Sequence, residues 1–100
     1  MSMIVRDGDK TTVTPVGRID TLAAPQFAEE MDQALAGTRD LTLDCSRLEY
    51  ISSSGLKVVM QAVKTMYSQG EMRIINVTDD IYEVLSLTGF VAVCDVERQA

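Results

Sequence analysis

Apolar and β-branched positions dominate two stretches near the start of the chain, residues 3–6 and residues 11–19. Runs of this kind predict β-strands. The tripeptide "DGD" at residues 7–9 lies between them and is a turn signal, so the two strands are predicted to form an antiparallel hairpin. Pro15 has no amide hydrogen for a ladder bond, and we expect it at a bulge or an unpaired edge position.

The spacing of apolar residues then changes from that of a strand to that of a helix. One stripe repeats at i, i+4, i+7 and i+8, and its members are Phe27, Met31, Ala34 and Leu35. Pro25 is expected in the first turn, where its missing N–H costs least, and Gly37 is expected to end the helix.

The clearest helical pattern covers residues 54–69, after a strand predicted at residues 41–45 and three consecutive serines. Its predicted buried face consists of Leu56, Val59, Met60, Val63, Met66 and Tyr67. Its predicted solvent face consists of Lys57, Gln61, Lys64 and Ser68. Gly70 is predicted to end this helix.

The last third of the chain continues the alternation, with a strand predicted at residues 72–77. A third helix, ending near Gly89, is predicted from its apolar positions Ile81, Val84 and Leu85. The residues that could cap it are Thr78, Asp79 and Asp80. The run "VAVCDV" at residues 91–96 predicts a final strand.

The predicted order is therefore β-β-α-β-α-β-α-β. Strands that alternate with helices imply crossover connections and a largely parallel sheet. Crossovers of one hand, all running in one direction, place the helices on the same face. We predict a single α/β domain over residues 1–100, with a mixed, mostly parallel sheet, an antiparallel first strand, and helices packed mainly on one face.

Charge and composition narrow the possible functions. The 100 residues carry a net charge of −6 and include no histidine. An acidic surface repels phosphate backbones, so nucleic acid is not an expected partner. The absence of histidine removes the commonest general base and metal ligand. No apolar run is long enough to span a bilayer, and residues 1–10 lack a signal-peptide core, so we expect no membrane insertion and a cytoplasmic location.

The two cysteines do not suggest a metal site. Cys45 and Cys94 lie far apart in strand-like runs and form no C-x-x-C motif. A free cysteine in such a run usually behaves as a small buried apolar residue. No metal and no disulfide are therefore expected.

The segment "YISSSGLKVVM" at residues 50–60 places three serines and a glycine directly before the best helix. Serine is a preferred N-cap, so Ser53 or Ser54 is expected to cap the helix. A serine nucleophile would need an adjacent base, and the candidate bases, Lys57 and Lys64, lie on the predicted solvent face. No phosphate-binding loop sequence is present. The sequence thus predicts no catalytic residue and no cofactor.

Three stretches resemble the STAS domain in the form found in stand-alone anti-sigma factor antagonists. "GRIDTLAAPQF" at residues 17–27 resembles the family's G-x-[LI]-D-x-x-x-A-P motif. "LTLDCSRLEYISSSGLKVV" at residues 41–59 resembles its central signature, a strand and D-x-S followed by D-S-S-G-L and a helix. "INVTDDIYEVLSLTGF" at residues 75–90 resembles its late strand–helix block, which ends in [LM]-[ST]-G-[LF]. Together they cover most of the chain in the family's order.

The resemblance implies a protein that acts by binding and is not an enzyme. Such antagonists bind an anti-sigma factor with serine kinase activity and so release a sigma factor. The kinase phosphorylates a serine of D-S-S-G-L, and a serine phosphatase restores it. That serine falls on Ser53, while Ser52 replaces the family's aspartate. The partner-binding surface implied by the resemblance consists of Asp20, Thr21, Ser52, Ser53, Ser54, Gly55 and Leu56.

A second function is compatible with the same resemblance. Stand-alone STAS domains also serve as cytosolic subunits of lipid-transporting ABC complexes, where the corresponding surface would dock an ATPase constitutively. Neighbouring genes for a kinase-like anti-sigma factor or for transporter components would discriminate between the two. A nucleotide-binding switch is a weaker third possibility, because no phosphate loop is visible.

Overall fold

The computed structural model describes residues 2–99. The strands are β1 (Ser2–Asp7), β2 (Lys10–Pro15), β3 (Gly17–Ile19), β4 (Asp40–Asp44), β5 (Leu48–Ile51), β6 (Glu71–Val77) and β7 (Asp95–Arg98). The helices are α1 (Ala24–Leu35), α2 (Ser53–Gln69), α3 (Asp79–Leu87) and α4 (Phe90–Val93). All three predicted helices are present, and α4 is an addition to them.

Five strands form the main sheet in the order β1-β2-β4-β6-β7. β1 is antiparallel to β2, and every other neighbouring pair in this sheet is parallel. The mixed, mostly parallel sheet with an antiparallel first strand is therefore confirmed.

One face of this sheet is apolar and carries the helices. A row of buried side chains crosses it in register, formed by Val13, Leu43 and Ile74. The alternate row, which points to the opposite face, consists of Thr12, Thr42 and Arg73. Buried side chains from all four helices join the same hydrophobic cluster as the apolar row. The helices thus pack on one face, as the crossover rule predicts.

The single strand predicted over residues 11–19 is wrong, because the chain breaks there into β2 and β3. Pro15 pairs with Ser2 at the last position of β2, and its missing amide hydrogen ends the ladder. Gly17 then takes a φ of 84°, a left-handed conformation that glycine adopts without steric cost. β3 leaves the main sheet and pairs in parallel with β5 in a separate two-stranded sheet. This small sheet positions the candidate functional loops.

The apolar stripe of α2 is placed slightly differently from the prediction. Its centre contains Val59, Ala62, Val63 and Met66, all buried. Tyr67 is 88% exposed, so its predicted burial is wrong. At about 100° per residue, Tyr67 lies about 80° around the helix axis from Val59, at the margin of the stripe. The four residues of the predicted solvent face are exposed, and α2 ends before Gly70 as expected.

The final strand predicted at residues 91–96 is also wrong in its first half. Gly89 has a φ of 86°, and Phe90, 1% exposed, anchors the short helix α4 to the core. The Cys94 amide donates to the Phe90 carbonyl and closes the turn, after which β7 pairs with β6. A short apolar run does not distinguish a strand from a helical turn, and here the burial of one aromatic ring selects the turn.

Candidate functional site

The two loops implicated by sequence meet at one edge of the small sheet. β3 and β5 run parallel, so both carboxyl ends open on the same side. The Ser52 amide donates to the Ile19 carbonyl at 2.8 Å and ties the serine loop to the end of β3. Asp20 follows Ile19 directly, so the predicted proximity of the Asp20 loop and the serine loop is present.

Ser52 is the residue that caps α2. Its hydroxyl oxygen accepts from the Gly55 amide at 3.2 Å, and its carbonyl accepts from the Leu56 amide at 2.9 Å. Ser52 is buried. The expectation that Ser53 or Ser54 caps the helix is wrong, because the extended residue before the first helical turn is Ser52. Serine and aspartate are comparable N-caps, so Ser52 can fill the structural role of the family's aspartate.

Ser53 is the exposed serine of the three, and Ser54 is half-buried. Both lie in the first turn of α2, where backbone N–H groups have no acceptor within the helix. The positive end of the helix dipole lies at the same place. The Ser53 hydroxyl is therefore accessible in a setting that favours negative charge.

Gly55 faces the interior and not the surface. A Cβ atom there would lie 2.8 Å from Ile19 Cγ2 and 2.8 Å from Ile51 Cγ1. The absence of a side chain therefore lets the first turn of α2 lie directly on the ends of β3 and β5. Gly55 and Ser52 are both buried, so neither offers the exposed contact surface that the sequence prediction gave them.

Asp20 organises the neighbouring loop before α1. Its carboxylate accepts from the Ala23 amide at 2.9 Å, and its carbonyl accepts from the Ala24 amide at 3.0 Å. The side chain of Thr21 is exposed, and that of Leu22 is 91% exposed. Sequence reasoning did not single out Leu22.

A shallow groove of about 240 Å³ adjoins Ser53. It is lined by Ser53, Leu56, Lys57, Met60, Thr88 and Phe90. Lys57 is exposed, as predicted for the solvent face, and it also lines this groove together with Ser53. Thr88 and Phe90 belong to the segment that joins α3 to α4. In the sequence, the only indication that they are part of the site is the "LTGF" ending of the third motif. The volume is below the about 300–1,000 Å³ of ordinary small-molecule pockets.

The two cysteine thiols and the Asp44 carboxyl, all within residues 2–99, have pKa values that are shifted by their surroundings. Burial raises the pKa of Cys45 to about 12 and that of Cys94 to about 11, so both thiols stay protonated at neutral pH. Burial by itself would raise the pKa of Asp44, but hydrogen bonds from Asn76 and Ser46 outweigh it and hold that pKa below the ordinary value. Within residues 2–99 no group of three metal-ligating side chains occurs. Over the same residues, no helix has both the length and the apolar character needed to cross a membrane.

The cap assignment gives a stability prediction for Ser52. We expect Ser52→Ala to lower the free energy of unfolding by about 1 kcal/mol, the usual value of an N-cap side chain. In a domain of this size that corresponds to a fall in Tm of about 4–8 °C. Ser52→Asp is the matched control and should melt close to wild type, because aspartate accepts the same bond. Thermal unfolding followed by circular dichroism measures both, and a larger loss for Ser54→Ala than for Ser52→Ala would contradict the assignment.

Comparison with known proteins agrees with this architecture. BtrV of Bordetella bronchiseptica, a proposed anti-sigma factor antagonist, is 36% identical over 75 residues, covering 69% of this chain and 65% of BtrV. The chain therefore spans slightly less than two-thirds of BtrV. The anti-sigma-B factor antagonist of Listeria monocytogenes is 26% identical over 96 residues, covering 93% of this chain and 83% of the relative.

A solved structure of the Bacillus cell fate determinant SpoIIAA in its phosphorylated form has the same fold. It superposes with a TM-score of 0.76 at 15% identity, covering 96% of this chain and 90% of that one. The family model for the STAS domain matches residues 1–99. This protein therefore belongs to the STAS domain family.

Proposed function

We propose that this protein is an anti-sigma factor antagonist that works by partner switching. It binds an anti-sigma factor with serine kinase activity and thereby regulates transcription. The kinase phosphorylates Ser53 and ends the association, and a serine phosphatase restores the binding form. The chain contributes a surface and an acceptor hydroxyl, and it carries out no catalysis and uses no cofactor of its own.

The observation that carries this proposal is the unequal exposure of the three serines. Ser52 is buried as the cap, Ser54 is half-buried, and Ser53 is exposed in the first turn of α2. A kinase needs an accessible hydroxyl, and Ser53 offers it. The two curated relatives are named as antagonists, and the Bacillus neighbour has been solved in a phosphorylated form, which supports the same assignment.

The proposed partner surface is smaller than the set of residues implied by the resemblance. It comprises Asp20, Thr21, Ser53 and Leu56, with exposed Leu22 as an apolar contact. Ser54 lies at its half-buried margin, while buried Ser52 and Gly55 shape the loop from beneath. The chain's net charge of −6 favours a partner with a basic face.

The direct test is to map the phosphate. The protein is incubated with ATP and a purified anti-sigma kinase from the same organism, and tandem mass spectrometry locates the modified residue. We expect phosphate on Ser53. Phosphate on Ser52 or Ser54 would contradict the residue-by-residue assignment. If no serine accepts phosphate and Ser53→Ala binds its partner normally, the constitutive subunit of a lipid-transporting ABC complex becomes the better explanation.

The contribution of Asp20 to binding can be separated from its contribution to the loop. Asp20→Asn removes the charge and keeps an oxygen for the Ala23 amide, whereas Asp20→Ala removes both. We expect both variants to bind the anti-sigma factor more weakly. Only Asp20→Ala should lose stability, by about 1 kcal/mol, the usual net contribution of one hydrogen bond. Isothermal titration calorimetry with thermal melts separates the two effects, and wild-type affinity in both variants would place the surface elsewhere.

A further inference from the structure

Ser53 and Lys57 lie one helical turn apart on the same side of α2. The spacing i, i+4 brings side chains on a helix surface within interaction distance. Both residues line the same shallow groove, which agrees with a position on one side of the helix. A negative group added to the Ser53 oxygen would therefore have the ammonium of Lys57 within reach.

Lys57 makes no ion pair within residues 2–99, where the salt bridges join Arg73 to Asp40 and Arg98 to Asp79. Among the groove residues it is the one charged side chain, its neighbours there being Leu56, Met60, Thr88 and Phe90. The carboxylate of Asp20, on the adjoining loop, is bonded to the Ala23 amide. The ammonium of Lys57 is therefore available to pair with a negatively charged group added to Ser53.

We infer that Lys57 is the intramolecular counter-ion of a phosphate carried on Ser53. This inference rests on the proposed function, because it assigns a role to the chain's own residues in the phosphorylated form. It adds a second consequence of phosphorylation. The modification places negative charge at the partner surface and also pairs with the positive charge of Lys57 in the adjoining groove.

The ionisation of the phosphate provides a direct test that needs no kinase and no partner. Phosphoserine is installed at position 53 during protein synthesis, and its second ionisation, ordinarily at about pH 6, is followed by phosphorus NMR. A neighbouring ammonium favours the dianion and moves the titration midpoint to lower pH. We therefore expect Lys57→Gln to raise the midpoint by about 0.3 pH unit, given the usual strength of an i, i+4 charge pair.

Two controls make the result specific. Lys64→Gln removes an equal charge from an exposed position nearly two turns further along α2, and it should leave the midpoint unchanged. The difference between Lys57→Gln and wild type should also shrink in 1 M salt, where the Debye length is about 3 Å. An unchanged midpoint in Lys57→Gln, or equal effects of the two lysine variants, would overturn the inference.

The failure of this inference can be distinguished from failure of the proposed function. If phosphate on Ser53 weakens binding to the anti-sigma factor but Lys57→Gln leaves the midpoint unchanged, the switch stands and the lysine has no part in it. If Lys57→Gln shifts the midpoint but the phosphate leaves binding unaffected, the pair exists and the proposed switch is wrong. Melting curves of the lysine variants should match wild type, because both side chains are exposed.

Discussion

Val63→Asp is expected to unfold the domain, and Lys64→Asp is expected to leave it folded. Val63 is 7% exposed and belongs to the hydrophobic cluster between α2 and the sheet. A carboxylate there would lose its hydration with no partner to replace it, at a cost of several kcal/mol. Domains of this kind have only about 5–15 kcal/mol of stability in total. A single buried charge is therefore enough to remove most of it.

Lys64 is the matched control because it is adjacent in sequence and about 100° away around the helix. Its side chain is exposed, and substitutions at such positions usually change stability by about 0.5 kcal/mol or less. Lys64 lies more than one turn before the end of α2, so the helix dipole contributes little to the effect of this change. Urea titrations followed by circular dichroism compare the two variants. Equal unfolding midpoints would show that the buried face of α2 has been assigned incorrectly.

The sequence predicts the main sheet and the helices because their periodic patterns are long. The α1 stripe from Phe27 to Leu35 is buried as its spacing indicates. The α2 pattern errs only at its margin, where helical spacing cannot decide between a half-buried Met60 and an exposed Tyr67. That choice depends on how far the neighbouring layer extends, and this is a property of the tertiary structure.

The small sheet could not be predicted from the pattern alone. The β-branched run continues through residues 11–19 as if it were one strand, and the break depends on the conformation of Pro15 and Gly17. β5 is short, with Leu48 buried and its next two residues exposed, so it gives almost no periodic signal. Yet the β3–β5 pairing is what holds the Asp20 loop beside the serine loop.

The serine loop shows that the sequence pattern also fails to assign the roles of single residues. Composition predicts a serine cap, but the identity of the cap depends on the residue at which the helix begins. The helix begins at Ser53, so Ser52 is the buried serine that accepts the capping bond and Ser53 is exposed. If the helix began one residue later, Ser53 would take the buried capping position. The resemblance to the family's D-S-S-G-L assigns the acceptor hydroxyl to Ser53, but it did not prevent the cap from being predicted one or two residues too late, because the first residue of the helix was not known.

Phosphorylation of Ser53 should act on association and leave the fold intact. A phosphoserine adds about −1.5 to −2 charge at neutral pH. In the first turn of α2 this charge meets unpaired N–H groups and the positive end of the dipole, both of which stabilise anions. The cap itself is made by Ser52 and does not involve the modified oxygen. The helix should therefore keep its first turn when the phosphate is present.

Under the proposed function a partner covers Ser53, so the charge of the phosphate would have to be desolvated on docking, and we expect its cost to fall on binding. We expect Ser53→Asp to bind the anti-sigma factor at least about tenfold more weakly, a difference of about 1.4 kcal/mol, and to melt within about 4 °C of wild type. Ser53→Ala should bind like wild type and accept no phosphate, while Ser54→Ala should still be phosphorylated. Surface plasmon resonance gives the affinities, and calorimetry gives the melting temperatures. Wild-type affinity in Ser53→Asp and in the phosphorylated protein would rule out the switch, whereas a large fall in melting temperature would mean that the charge acts through the fold and not through the interface.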